Sequence, residues 1–433
     1  MSFKHRPKVI AVCWLVCLLV CLSLIGTGIT ISFDIWKIRV LEPWGRILIG
    51  IILTILGFSL GYLSTLKFFW TIVTWLAKYE RIRNGKTGKG PKVVVIGGGT
   101  GLGTILRGLK EITPHLTAIV TVADDGGSSG RLRREFGILP PGDIRNCLVA
   151  MADMEPLMEK LFQYRFTGSS NLAGHNFGNL FITAMTEITG DFEVAIKESS
   201  KVLAVRGQVL PATTENVILK AELADGRIVT GESEIPKAKM PIKKVFLEPR
   251  HCKPVTEAVT ALEEADIIIL GPGSLYTSII PNLLVTDIAE TVRNSKAVKV
   301  YVCNAMTQAG ETDNYSAGEH LKAIMEHAGP GLVDIALVNN ESISEEILKR
   351  YTEEDAQPVR VDLDVISNMG ITPLAVQIIT KTNYIRHDAS KVARLILGLY
   401  RTQGVSHTFG KLITKQLLRF LKSCVGFFIA KLS

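Results

Sequence analysis

The stretch that most restricts what this chain can fold into is Val93–Thr104, VVVIGGGTGLGT. Four apolar residues lead into five glycines within seven positions. A short unbroken apolar run is the pattern of a strand buried on both faces of a parallel sheet. Glycines just after it let the backbone approach an anion, and the N–H groups of a following helix can bond that anion. Neither common phosphate fingerprint is complete. No glycine opens a full G-x-G-x-x-G, and Thr104 stands where a P-loop needs lysine.

The same pattern recurs along the chain. Ala118–Ala123, Ile267–Leu270, Lys299–Cys303 and Ile335–Val338 read as further buried strands. Helical stretches such as Asn176–Glu187 and Glu193–Val202 lie between them. The alternation predicts a doubly wound α/β fold. Residues 208–250 depart from it, alternating apolar and polar residues around a turn at Asp225-Gly226. They predict an antiparallel hairpin region inserted in the α/β body.

Open α/β sheets bind ligands at the carboxyl ends of their strands, so the residues there are the candidates. After the first strand come Gly98, Gly99, Thr100 and Gly101. After the second come Asp124 and Asp125, placed to bind ribose hydroxyls or to hold Mg²⁺ on a diphosphate. A second glycine loop with Gly127 and Ser128 follows, and then Arg131, Arg133 and Arg134. Two helix starts add Asp143, Arg145 and Asn146, and His175, Asn176 and Asn179. Such side chains suit a uracil edge, sugar hydroxyls or proton transfer. GPGSLYTS makes a third glycine loop with Gly271, Gly273, Ser274 and Thr277, and the next strand end offers Asn304, Thr307 and Gln308. Three anion loops on one sheet edge imply a nucleotide or nucleotide-sugar diphosphate.

The chain ends have a different character. Val9–Phe33 is 25 residues without a charge and Ile47–Leu66 is 20 more. A bilayer core takes about 20 apolar residues per helix, so two transmembrane helices joined by residues 34–46 are expected. The first run is too long for a signal peptide and lacks its cleavage site. Residues 67–83 mix aromatic and basic residues and either extend the second helix or lie along the interface, which closes a membrane anchor at residues 1–83. Residues 84–91 read as a linker and 92–400 as the soluble domain. The tail, 401–433, reads as a basic amphipathic helix that lies on the membrane or packs on the domain.

Of 49 Lys+Arg and 41 Asp+Glu, residues 1–92 hold 13 and 3, and residues 401–433 hold 6 and none. The stretch between keeps 30 and 38, a net of −8, which argues against nucleic acid. The basic flanks of the apolar runs suit anionic lipid and place both ends, with the large domain, in the cytoplasm. Seven cysteines fit a reduced compartment. Cys13, Cys17 and Cys21 share one face of the first helix, and the others show no metal-ligand spacing.

Taken in order, GGGTGL, DDGGSSGRLR, PGDIRN, GHNFGN, GPGSLYTS and NAMTQAGET closely resemble the gluconeogenesis-factor family called YvcK, a relative of the phospholactate transferase CofD. The resemblance spans Lys92–Tyr400 and implies a Rossmann-like CofD-type parallel sheet. It also implies binding of a UDP-sugar, notably UDP-N-acetylglucosamine, and support of cell shape and of growth on gluconeogenic carbon sources. No reaction follows from it. The leading expectation is a membrane-tethered UDP-sugar sensor that contacts cell-wall or central-carbon proteins, with self-association left open. The rival is a CofD-type transferase that moves a phospho-acyl group from a nucleoside diphosphate donor to an alcohol acceptor, with Mg²⁺ on Asp124 and Asp125. A nicotinamide-dinucleotide enzyme is disfavoured by the missing G-x-G-x-x-G.

Overall fold

The structure is a computed structural model that describes residues 20–27, 29–31, 44, 47–65, 90–153, 156–169, 171–381 and 384–401. It divides into two compact units, Met1–Lys89 and Gly90–Ser433.

In the first unit, Ile47–Thr65 is a helix long and apolar enough to cross a membrane, with a mean hydropathy of 2.2. A second apolar helix, Val20–Ile31, is shorter than a span. The expected pair of transmembrane helices is therefore corrected to one candidate among the described residues. Residues 9–19 of the expected first span lie outside those residues, as do 67–83, the linker up to 89 and the tail from 402. The two helices pack closely. A Cβ at Gly57 would lie 3.0 Å from Cys21 O, and one at Gly61 would lie 3.8 Å from Cys21 Cβ.

Twelve strands are described in the second unit. They are β1 (Val93–Gly97), β2 (Leu116–Val120), β3 (Gln208–Pro211), β4 (Ile218–Leu223), β5 (Ile228–Thr230), β6 (Ile242–Glu248), β7 (Ile267–Leu270), β8 (Val298–Val302), β9 (Ile335–Asn339), β10 (Thr372–Val376), β11 (Ile379–Lys381) and β12 (Ile385–His387). Seven form one sheet in the order β10-β9-β8-β7-β1-β2-β3, and every pairing in it is parallel. β1 is buried at every residue, as its unbroken apolar run requires. The helix Gly99–Leu109 lays Leu102, Ile105, Leu106 and Leu109 into the core, the i, i+3, i+4, i+7 stripe of an amphipathic helix.

The chain winds from β1 through β2 to β3 on one side, then returns to place β7 on the other side of β1. The order of winding reverses between β1 and β7. The loops after these two strands diverge there, and that crevice is where doubly wound sheets take ligands.

The inserted antiparallel region is smaller than expected and differently built. Val209 and Leu210 are buried, and β3 joins the main sheet parallel to β2. The separate sheet has three strands in the order β5-β4-β6, all antiparallel. Its turn falls at Asp225-Gly226, where Gly226 has φ +85. β2 also ends at Val120, earlier than expected. Thr121 N–H still bonds Gly97 O at 3.1 Å, and the following residues peel away to form the loop.

Candidate functional site

A cavity of about 630 Å³ opens at the crevice between β1 and β7. Its floor comes from the two loops there. Gly98, Gly99, Thr100 and Gly101 line it from one side, and Gly273, Ser274 and Thr277 from the other. Gly99 has φ +68, a left-handed conformation that favours glycine. Gly98 is extended, and a side chain on it would strike the Asp143 carboxylate and Thr121 Cγ2. A Cβ on Gly101 would lie 2.9 Å from Pro272 O, so the two loops touch there. Buried Asn282 fastens them from below, donating to Gly97 O at 3.0 Å and Ser278 O at 2.7 Å.

The loop after β8 supplies Asn304 and Thr307 to the lining. The Asn304 amide is largely committed to its neighbour. It accepts the Gly273 N–H at 3.2 Å and donates to Gly273 O at 2.8 Å. Beneath both loops lies Glu311, which accepts from Thr277 Oγ1 at 2.9 Å, Gln308 Nε2 at 2.6 Å and Tyr276 N–H at 3.3 Å. Burial pushes its carboxyl up to about 7 against those donors.

One end of the cavity is acidic. Asp124, Asp143 and Glu232 line it. Burial, and then the charge of Asp124, push Asp143 up to about 7, while the Gly99 N–H and Arg145 pull the other way. Burial likewise raises Asp124, although the Gly126 N–H bonds its Oδ1 at 2.9 Å. The other end is built by the C-terminal segment. Tyr351, Tyr384, Ile385, Arg386 and His387 line it. Arg386 is the one Lys or Arg in the lining among the described residues. Tyr351 Oη accepts the Ile385 N–H at 2.8 Å, and its ring meets that of Tyr384 edge-on at 6.5 Å. His387 Nε2 donates to Cys303 O at 3.0 Å, and burial pushes this imidazole down to about 4.

The remaining expected residues lie outside the lining. Asp125 turns from the cavity to the segment that follows β5, where its Oδ1 accepts the Ser233 N–H at 2.9 Å. Asp124 and Asp125 therefore do not face a ligand together. No group of three or more His, Cys, Asp or Glu among the described residues converges as a metal site. Ser128 Oγ pairs with His175 Nδ1 at 3.3 Å and accepts the Asn176 N–H at 3.2 Å. Burial, and then Arg131, lower the His175 pKa. Arg131 donates to Ala173 O at 3.0 Å, and Arg133 donates to Val217 O at 2.6 Å. Asn176 caps the helix Phe177–Thr189 through the Asn179 N–H, and Asn179 reaches Ser129 Oγ at 3.5 Å. Arg145 donates to Asn146 Oδ1 at 2.7 Å. Gly127 and Gly271 are turn glycines with φ +47 and +73. These groups brace the wall beside the cavity.

Sequence reasoning passed over Glu232, Glu311, Tyr351, Tyr384, Arg386 and Asn282. Asn282 alone carried a local signal, a polar residue inside the apolar run IIPNLLV.

The 2-phospho-L-lactate transferase CofD family matches residues 93–379. A gluconeogenesis factor of Bacillus subtilis is 54% identical over 315 residues, covering 72% of this chain and 99% of that protein. A putative gluconeogenesis factor of Nostoc is 55% identical over 315 residues, covering 72% of this chain and 69% of that protein. The crystal structure of a UPF0052 family protein from Bacillus halodurans superimposes with a TM-score of 0.69 at 54% identity, over 71% of this chain and 99% of that one. The chain thus belongs to the CofD family, as a relative of its gluconeogenesis factors.

Proposed function

We propose that the domain binds a nucleotide sugar, with UDP-N-acetylglucosamine as the ligand. The observation that carries this reading is the polarity of the cavity at the sheet's switch point. Backbone N–H groups of the glycine loops and the Arg386 guanidinium offer donors for phosphate oxygens. Asp124, Asp143 and Glu232, at the other end, would repel a diphosphate, and they suit ribose and sugar hydroxyls. The Tyr351–Tyr384 edge offers an aromatic surface for a base. A volume of about 630 Å³ falls in the roughly 300–1,000 Å³ range of ligand pockets.

In this reading the protein is a sensor. Ligand draws together loops from both halves of the sheet, and the altered surface signals to cell-wall or central-carbon proteins that support cell shape and gluconeogenic growth. The apolar helix Ile47–Thr65 and the basic residues that flank the apolar runs would hold the domain against the cytoplasmic face of a lipid bilayer. A CofD-type transferase is the second reading, favoured by the family match. With Asp125 bonded to Ser233, Asp124 is the member of the pair that lines the cavity and could meet a cation there.

Thermal melts of the purified protein with UDP-N-acetylglucosamine, UDP, GDP and NAD, each with Mg²⁺ and then with chelator, test both. The sensor reading expects the UDP-sugar to stabilise the fold by about 2.7 kcal/mol at 100 times its dissociation constant, in chelator as well. No stabilisation by any nucleotide sugar overturns it. Binding that collapses in chelator, together with turnover of the donor, moves the transferase reading to first place.

A further inference from the structure

Glu232 reaches the cavity from a part of the chain that carries no glycine loop. It follows β5 on a segment held from two sides. The Gly231 N–H bonds Leu219 O at 2.8 Å within the inserted sheet. Asp125 Oδ1 accepts the N–H of Ser233, the residue after Glu232, at 2.9 Å, and a side chain on Gly231, whose φ is +106, would strike the Asp125 carboxylate. Glu232 is thereby fixed over the acidic end of the cavity. The charges that act on it are those of Asp124, Asp143, Glu311 and Asp125, all of one sign. Of the guanidiniums that act on Asp124 and Asp143, Arg133 donates to Val217 O and Arg145 to Asn146 Oδ1 rather than to Glu232. No described residue offers the Glu232 carboxyl a hydrogen bond or an ion pair. Several carboxyls gathered at one largely buried end of a cavity favour retention of a proton on one of them. Burial and then these four neighbours push Glu232 up to about 8, above Asp143 and Glu311 at about 7.

We propose that Glu232 is a ligand-binding residue that acts as a neutral acid, donating its O–H to an acceptor oxygen on the sugar-bearing half of the bound nucleotide sugar. The proposal rests on the nucleotide-sugar reading above and adds proton linkage to it. A ligand that needs this proton binds well while Glu232 keeps it. Once Glu232 ionises, binding has to take up one proton, and the affinity falls about tenfold for each further pH unit.

The test measures the dissociation constant of UDP-N-acetylglucosamine for the full chain by calorimetry between pH ~6.5 and ~9, in phosphate and in Tris, to count protons. Expected for the wild type is a constant affinity up to pH ~8 and then a loss of about tenfold per unit, with proton uptake approaching one. Glu232→Gln keeps a donor but cannot ionise, so its affinity shows no such decline. If that variant does not fold, the wild-type profile and the two-buffer proton count decide alone. Wild-type affinity and proton count that stay constant to pH ~9, or a decline that persists in Glu232→Gln, overturn the proposal and leave nucleotide-sugar binding standing. No binding by the wild type at any pH overturns both.

Discussion

Gly101→Ala asks whether the glycines of the first loop serve a ligand or serve each other. Gly101 sits in the first turn of the helix Gly99–Leu109 without a positive φ, so alanine there gains up to about 1 kcal/mol of helix propensity. Against this, its Cβ would stand 2.9 Å from Pro272 O and 3.2 Å from the carbonyl carbon. Ordinary contact is about 3.5–4.0 Å, so the two loops have to part by roughly half an ångström or more. Overpacking of this kind costs about 1–3 kcal/mol. The net expectation is a loss of about 0–2 kcal/mol, a fall in Tm of a few degrees at most for a domain this large. The parted loops should also bind UDP-sugar about tenfold more weakly, about 1.4 kcal/mol. Gly127→Ala is the control. Its Cβ meets nothing within 4 Å, but its φ of +47 costs about 1 kcal/mol, so it loses stability and keeps affinity. Scanning calorimetry and ligand titration of both variants read out the two effects. A Gly101→Ala protein that is stabilised by the full helix-propensity gain, with unchanged affinity, would refute the contact between the loops.

Further outcomes follow from the same geometry. Arg386→Ala should weaken UDP-sugar binding at least tenfold and flatten its dependence on salt, with no change in Tm because the side chain is exposed. Equal salt slopes for variant and wild type would remove Arg386 from the phosphate contact. Asp143 is raised to about 7 from an ordinary 3.8, so its folded form costs stability progressively as pH rises from about 4 to 7. Asp143→Asn should therefore melt like the wild type near pH ~4 and be more stable by on the order of 1–3 kcal/mol above pH ~7, at the expense of affinity. Melts that run parallel at all pH values would contradict this. Asn304→Ala removes both bonds to the Gly273 peptide, so stability should drop by about 1–3 kcal/mol, as denaturant titration would show.

Much of this site was legible because its parts are local. A buried strand followed by glycines announces itself within a dozen residues, and Gly98–Gly101, Gly273–Thr277 and Asn304–Thr307 were found that way. The acidic and aromatic ends were not legible, because they form only when distant segments meet. Asp125 reads as a ligand carboxylate beside Asp124, yet its partner is 108 positions away in the turn after β5. That same bond brings in Glu232, which nothing in GESEIPK distinguishes from a surface acid. Tyr351 and Arg386 meet the cavity through a bond between residues 351 and 385 and the small β11–β12 hairpin. His175 and Asn176 were attractive as ligands because they open a helix, but capping and bracing use the same residue types. The inserted region misled in the other direction. Its period-2 pattern was correct for β4–β6, but β3 was swept in, although its buried pair Val209-Leu210 belongs to the parallel sheet.

The central place of β1 has a consequence for synthesis. It is the first strand of the domain to be made, and it needs neighbours on both sides. β2 arrives within some twenty residues, but the β7 side closes far later, as the 174-position span of the Lys92–Asp266 bond records. At roughly 5–20 residues per second the ribosome leaves that flank of β1 unpaired for on the order of ten seconds or more. A fully apolar strand with a bare edge is an invitation to wrong pairing. Translation past Leu270, rather than any early local structure, is then the step that commits the nascent domain to its fold, and slowing the ribosome between β3 and β7 should raise the aggregated fraction of newly made protein.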